Sequence, residues 1–164
     1  MRVGFGIDMH RLVAGVPLVL GGITIPFPKG LDGHSDGDAL LHSICDALLG
    51  AASLGDMGKH FPSSDDSLKN ISSVALLSQT VAMLEGHLWK IINIDATIIT
   101  EQPKLGSYFL EMETLIANTT NIPQDSINIK AKTNIGTTKT STILFVVFMF
   151  IDFCPRFNFR ATFV

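Results

Sequence analysis

Hydrophobic residues switch between two periods along this chain, and the order of the switches limits the folds open to it. Residues 2–12 read as a strand, and residues 17–20 with 23–27 read as a hairpin turning on Gly21-Gly22. A Gly/Asp-rich loop over 28–37 follows. Leu40, Leu41, Ile44, Cys45, Leu48 and Leu49 then recur at helical spacing. Asp36 or Asp38 is the candidate start of that helix, and Gly50 or Gly55 its end. A second helix is predicted over 67–84 and a strand over 89–100, with Ile92, Ile94, Ala96 and Ile98 on one face. A third helix over 108–119 and a strand over 126–133 complete this part. A hairpin followed by helix-separated strands predicts an α+β fold, a mixed β-sheet with helices packed on one side.

Composition narrows the classes. At 164 residues, 46% hydrophobic and 16% charged, the chain predicts one domain over 1–164 and excludes a disordered, solvating polymer. Twelve Lys+Arg against fifteen Asp+Glu, without a basic cluster, argue against nucleic acid as a partner. The longest apolar run, 143–151, is far shorter than the roughly 20 residues that span a bilayer, so no membrane partner is expected. Cys45 and Cys154 are too few for a disulfide framework and fit a reducing compartment. A soluble protein is expected, cytoplasmic, or in a plastid stroma if a presequence has been removed.

Several residues could carry chemistry. Asp8 and His10 stand two apart on a predicted strand and leave it on the same face, as a metal-binding pair or as a solvent-facing charged pair. His42 has Asp38 at i−4 and Asp46 at i+4, so either carboxylate could take the second ring N–H of a metal-bound imidazole. The bland alternative is a helix surface stripe. Together Asp8, His10 and His42 would make a three-ligand site with an open fourth position, the pattern of catalytic zinc. Gly4-x-Gly6 fails as a dinucleotide fingerprint because Met9 holds the third glycine position, and Gly58-Lys59 lacks the glycines of a P-loop. The loop Gly33-His34-Ser35-Asp36-Gly37-Asp38 combines backbone freedom, side-chain donors and a helix start. It suits an anion such as phosphate, and equally an ordinary capped loop.

That loop, continued through His42, Asp46-Ala47-Leu48-Leu49-Gly50 and Leu54-Gly55-Asp56-Met57-Gly58-Lys59-His60-Phe61-Pro62, closely resembles the 2-C-methyl-D-erythritol 2,4-cyclodiphosphate synthase family. So do Gly4-x-Gly6-x-Asp8-x-His10, Asp95-Ala96-Thr97-Ile98-Ile99, Pro103-Lys104 and Asn128-Ile129-Lys130-Ala131-Lys132-Thr133-Asn134. The resemblance implies an enzyme, a lyase of the non-mevalonate isoprenoid route. It would cyclise 4-diphosphocytidyl-2-C-methyl-D-erythritol 2-phosphate and release CMP. It also implies that Asp8, His10 and His42 hold a zinc-type ion, that His34 and Ser35 contact phosphate, and that His34 and Thr133 stabilise the transition state. Asp8, His10, Asp56, Gly58, Phe61, Asp65, Thr100, Lys104, Gly106 and Lys132 would contribute to substrate binding. A homotrimer is implied, with sites between neighbouring subunits and a magnesium or manganese ion on the substrate diphosphate.

The pattern breaks at residue 135. From there to the end only one glycine occurs, Gly136, and seven of the eleven phenylalanines crowd into 145–163. Ile135 stands where the family has the glutamate ligand of the second metal, Lys139 and Thr142 stand at later aromatic and arginine positions, and Ser63 replaces a frequent acidic residue. The atypical tail, 135–164, fits either a shifted reading frame or a genuine divergence in which 143–151 forms a buried strand. A catalytically impaired or inactive metal-binding homologue is the alternative that this departure raises.

Overall fold

Strand β1 (Arg2–Ala14) presents Gly4, Gly6, Asp8 and His10 on one face, and this alternation decides how the first helix packs. The structure, a computed structural model, describes residues 1–133 and 142–154. A Cβ on Gly4 would lie 2.0 Å from the carbonyl oxygen of Ala47, and one on Gly6 would lie 2.0 Å from that of Ser43. Helix α1 (Ala39–Ala52) therefore rests directly on the strand backbone, an approach closed to any residue with a side chain. Its buried residues, among them Leu40, Leu41, Ile44 and Leu48, form the centre of the core. Asp38 caps this helix: one carboxylate oxygen accepts the Leu41 N–H and the other the Gly22 N–H, tying α1 to the turn of the β2 (Leu18–Leu20) and β3 (Ile23–Ile25) hairpin.

The main sheet has the strand order β4-β1-β7-β5-β6. Here β4 is Lys29–Leu31, β5 Trp89–Ile99, β6 Ile127–Lys132 and β7 Thr142–Phe153. Strand β7 is the middle strand, antiparallel to β1 from Arg2↔Ile151 to Arg11↔Thr142 and antiparallel to β5 on its other side. The apolar run in the atypical tail is thus the strand expected for it, with Met149 and Ile151 fully buried. Among the described residues, β6 alone pairs in parallel, with β5. Helices α1 and α3 (Ser73–Gly86) cover one face of the sheet, with α4 (Phe109–Thr120) packed beside β6 and α3. The α+β expectation, helices on one side of a mixed sheet, is met.

Four local expectations are corrected. The helix predicted over 67–84 begins only at Ser73, because Ser72 is its cap and Asp66–Leu68 is a separate 3-10 turn held by Asp65. Neither Gly50 nor Gly55 closes α1. The helix passes through Gly50, and Ser53 takes the left-handed terminal conformation at φ 61°. Ile92 does not share the face of Ile94, Ala96 and Ile98: a register shift between Ile91 and Asn93 buries Ile91 and leaves Ile92 exposed. The stretch read as loop over 28–37 contains β4, too short to show a period of its own. Cys45 and Cys154 are both free, and burial pushes the Cys45 thiol up to about 12.

Candidate active site

The close seat of α1 brings His42 over Asp8. His42 Nδ1 lies 3.1 Å from Asp8 Oδ2, and His10 Nε2 lies 3.0 Å from the same oxygen. One ligand atom from each residue falls within 4.8 Å of the other two. Two imidazole nitrogens and a carboxylate oxygen form a donor set of intermediate softness that suits zinc, and three protein ligands leave a position for substrate or water. All three residues are half-buried. Burial raises the Asp8 carboxyl, yet hydrogen bonds and charge from His10 and His42 outweigh it and hold the group well below the usual carboxylate range. The same hydrogen bond with Asp8 raises His10 above its ordinary value.

Each imidazole has its far nitrogen engaged. His10 Nδ1 is 2.6 Å from the carbonyl oxygen of Asp32, which can only accept, so that nitrogen carries the proton and Nε2 faces the cluster. His42 Nε2 lies 3.0 Å from Ser35 Oγ and 2.9 Å from Ser73 Oγ. The expectation that Asp38 or Asp46 orients His42 is corrected. Asp38 accepts backbone N–H groups of Gly22 and Leu41, and Asp46 accepts the Met57 N–H. Sharing a helix face did not bring either carboxylate to the ring, because backbone donors at the helix start and at α2 (Met57–His60) claim them first. Asp38 is fully buried, and its carboxyl is pushed up to about 6 by that burial.

The three ligands open onto a cavity of about 480 Å³. His34, Ser35, Asp56, Gly58 and Phe61, all singled out in the sequence, line it with Asp8, His10 and His42. Ser63 and the apolar side chains of Met57, Leu68, Ile71 and Leu76 share its wall. Asp65 reaches the rim through its carbonyl oxygen, 3.3 Å from His34 Nε2. Asp56 caps α2 by accepting the Lys59 N–H.

The remaining predicted residues gather elsewhere. Thr100 lines a separate cavity beside Pro28 and Lys29, and its N–H donates to the carbonyl of Lys132. Lys104 and Gly106 follow the cis Gln102–Pro103 bond, and Thr133 follows β6 directly. Two strands, β7 and β5, separate β6 from β1 in the sheet. Ile135 and Lys139 lie outside the described residues.

A model of the YgbB family matches residues 1–147. The chain belongs to the YgbB family. A relative from Desulfatibacillum aliphaticivorans, 2-C-methyl-D-erythritol 2,4-cyclodiphosphate synthase, is 55% identical over 136 residues, covering 83% of this chain and 88% of its own. A structure of a synthase of that name in its CDP-bound form matches 92% of this chain and 100% of its own at TM-score 0.86 and 34% identity. The bifunctional IspDF from Campylobacter jejuni matches 93% of this chain at TM-score 0.89 and 34% identity, and the chain spans 42% of that larger protein. The YgbB match runs past residue 135, and the comparisons lend no support to the impaired-homologue alternative. Among the described residues, no helix is long and apolar enough to cross a membrane.

Sequence reasoning missed Ser73 and the role of Asp36. Asp36 accepts both the N–H and the hydroxyl of Ser73, at 2.8 and 2.5 Å. The signal was the pair Ser72-Ser73, a cap and first residue that also mark the true start of α3.

Proposed function

We propose that this chain converts 4-diphosphocytidyl-2-C-methyl-D-erythritol 2-phosphate to 2-C-methyl-D-erythritol 2,4-cyclodiphosphate and CMP; its relatives are named as synthases of that cyclodiphosphate. The observation that carries the reading is the Asp8–His10–His42 group on the wall of a cavity that also presents His34 and Ser35. In this reaction the substrate's 2-phosphate oxygen forms a bond to the diphosphate phosphorus attached to the methylerythritol, and the bridging oxygen bond from that phosphorus to CMP breaks. The nucleophile belongs to the substrate, so the protein's tasks are to fold the molecule and to balance charge. Holding both ends of one flexible molecule in line is worth up to roughly 7–11 kcal/mol of the barrier.

A zinc-type ion on Asp8, His10 and His42 would supply positive charge beside the diphosphate, and magnesium or manganese would accompany the substrate. His34 and Ser35 donate hydrogen bonds to phosphate oxygens. Asp56, Gly58, Phe61 and Asp65 hold the erythritol end, where the apolar wall excludes water. Thr100, Lys104 and Gly106 receive the cytidine diphosphate end, with Lys132 and Thr133 beside the reacting phosphorus.

The separation of the two residue groups within one chain favours a homotrimer in which neighbouring subunits complete each site. Val3, Ile7 and Met9 support it: they leave 53–65% of their surface exposed on the sheet face opposite the helices. A cytoplasmic location fits this reading and the bacterial relatives.

Incubating the purified protein with the cytidine substrate in magnesium buffer tests the reaction. CMP and the cyclic diphosphate are expected in equal amounts. Inorganic phosphate without CMP would identify a phosphohydrolase and overturn the reading.

A further inference from the structure

Helix α1 is buried along almost its whole length. Between Ala39 and Leu49 only His42 and Asp46 are not, and these two, one turn apart, both line the large cavity. His42 belongs to the cluster with Asp8 and His10. Asp46 does not: among the described residues, only those three bring their ligand atoms together. Oδ1 of Asp46 accepts the Met57 N–H at 2.9 Å, which fixes the side chain between α1 and the start of α2. Among the described residues nothing donates to Oδ2, and no buried side-chain oxygen lacks a partner. Oδ2 is therefore open, on a residue that faces the cavity.

A carboxylate oxygen can only accept, and it repels phosphate. The substrate groups suited to it are hydroxyls. With a phosphate on carbon 2 and the diphosphate on carbon 4, the methylerythritol keeps free hydroxyls on carbons 1 and 3. We propose that Asp46 is a further substrate-binding residue, whose Oδ2 accepts a hydrogen bond from one of these two hydroxyls. Both flank the carbon that carries the attacking phosphate, so a bond to either restricts rotation next to the nucleophile. The bond is charge-assisted, and its geometry is preset because Oδ1 is already anchored. The same anchor holds Met57 beside Asp56 on the cavity wall. A molecule without that hydroxyl would leave Oδ2 covered and unpaired, so Asp46 also discriminates between polyols.

The inference rests on the cyclase reading above, and its test separates the two. Full-length parent protein and Asp46→Asn, both loaded with metal, are assayed for CMP release from the cytidine substrate and from its 1-deoxy and 3-deoxy analogues. Asparagine keeps an oxygen for the Met57 N–H and puts an amide nitrogen in place of Oδ2. In the parent, one of the two analogues should lose about 10–100-fold in kcat/KM against the natural substrate through this contact. In Asp46→Asn the natural substrate should fall by a similar factor, and that same analogue should suffer little further loss. The other analogue should carry the same penalty in both proteins. Asp46→Ala is the second variant. It also frees Met57, but that damage strikes every substrate and cancels in the ratio between them. Metal content by elemental analysis is expected to be unchanged in Asp46→Asn; a drop would trace the loss to the metal cluster and overturn the contact. So would penalties for both analogues that stay the same in both variants, which would leave Asp46 as an anchor of α2 alone. A parent protein that releases no CMP from the natural substrate would instead overturn the cyclase reading itself.

Discussion

The two faces of β1 are built from alternate residues of one strand, yet they are completed in opposite ways. On the helix side, Gly4 and Gly6 let α1 settle on the backbone, and Asp8 and His10 meet His42 inside the same chain. On the other side, Val3, Ile7 and Met9 stay exposed, and Phe150 at the position paired with Val3 is 38% exposed. The first face is closed by this fold alone. The second is apolar surface that a neighbouring copy would cover. One strand thus separates ligand geometry, a property of the single chain, from assembly.

The largest break in this contrast should come from Gly6→Val. A side chain there meets the Ser43 carbonyl, so α1 must lift and carry His42 away from Asp8. Overpacking of this kind costs about 3 kcal/mol, and stability by urea denaturation should fall by that order while zinc content drops in parallel. His42→Ala should separate the two effects. Elemental analysis is expected to find no stoichiometric metal, with far-ultraviolet circular dichroism and the denaturation midpoint close to those of the metal-free parent.

Val3→Glu probes the opposite face. A carboxylate placed in an apolar interface is expensive to bury, so light scattering should show species smaller than a trimer. Zinc per chain should stay unchanged, while CMP release should collapse if Thr133 must come from a neighbour. A variant that remained trimeric would remove this face from the interface.

The smallest effect concerns Asp38, which anchors the closed face. Its folded value of about 6 lies above the ordinary 3.8, so its contribution to stability is fully present below about 3.8 and is lost as pH rises through 6. Asp8, held low, contributes with the opposite sign: its share is present above the ordinary value and fades as pH falls. The two act in adjacent ranges, Asp8 below about 3.8 and Asp38 above it. Comparing urea midpoints of the metal-free parent and Asp38→Asn from pH 4 to pH 7 isolates the first. The parent should lose about 1–3 kcal/mol relative to the variant over that range.

Much of this is legible in the order of residues. Period-2 spacing puts Asp8 with His10, helical spacing draws α1, and the loop 33–38 with the stretch to residue 62 marks the cavity residues His34, Ser35, Asp56, Gly58 and Phe61. These are local features, and local spacing determines which side chains share a face. Partners across the fold are not legible. Asp38 and Asp46 have the right spacing to serve His42, but nearby backbone donors take them, and the ring is engaged by Ser35 and Ser73 instead. The glycines at 4 and 6 can be rejected as a nucleotide fingerprint, whereas their use as the seat of α1 shows only once the helix lies on them. Ile92 follows the alternation until a register shift with β7 turns it outward.

The sequence by itself determined the element types, the Asp8–His10 pairing on one face and the composition of the cavity, because these depend on residues a few positions apart. Only the tertiary structure decided that the tail supplies the middle strand, that Thr100 and Lys132 lie apart from the metal ligands, and that a serine from α3 meets His42. Each of those rests on which distant backbone groups find partners when strands and helices pack. Spacing along the chain carries no record of that competition.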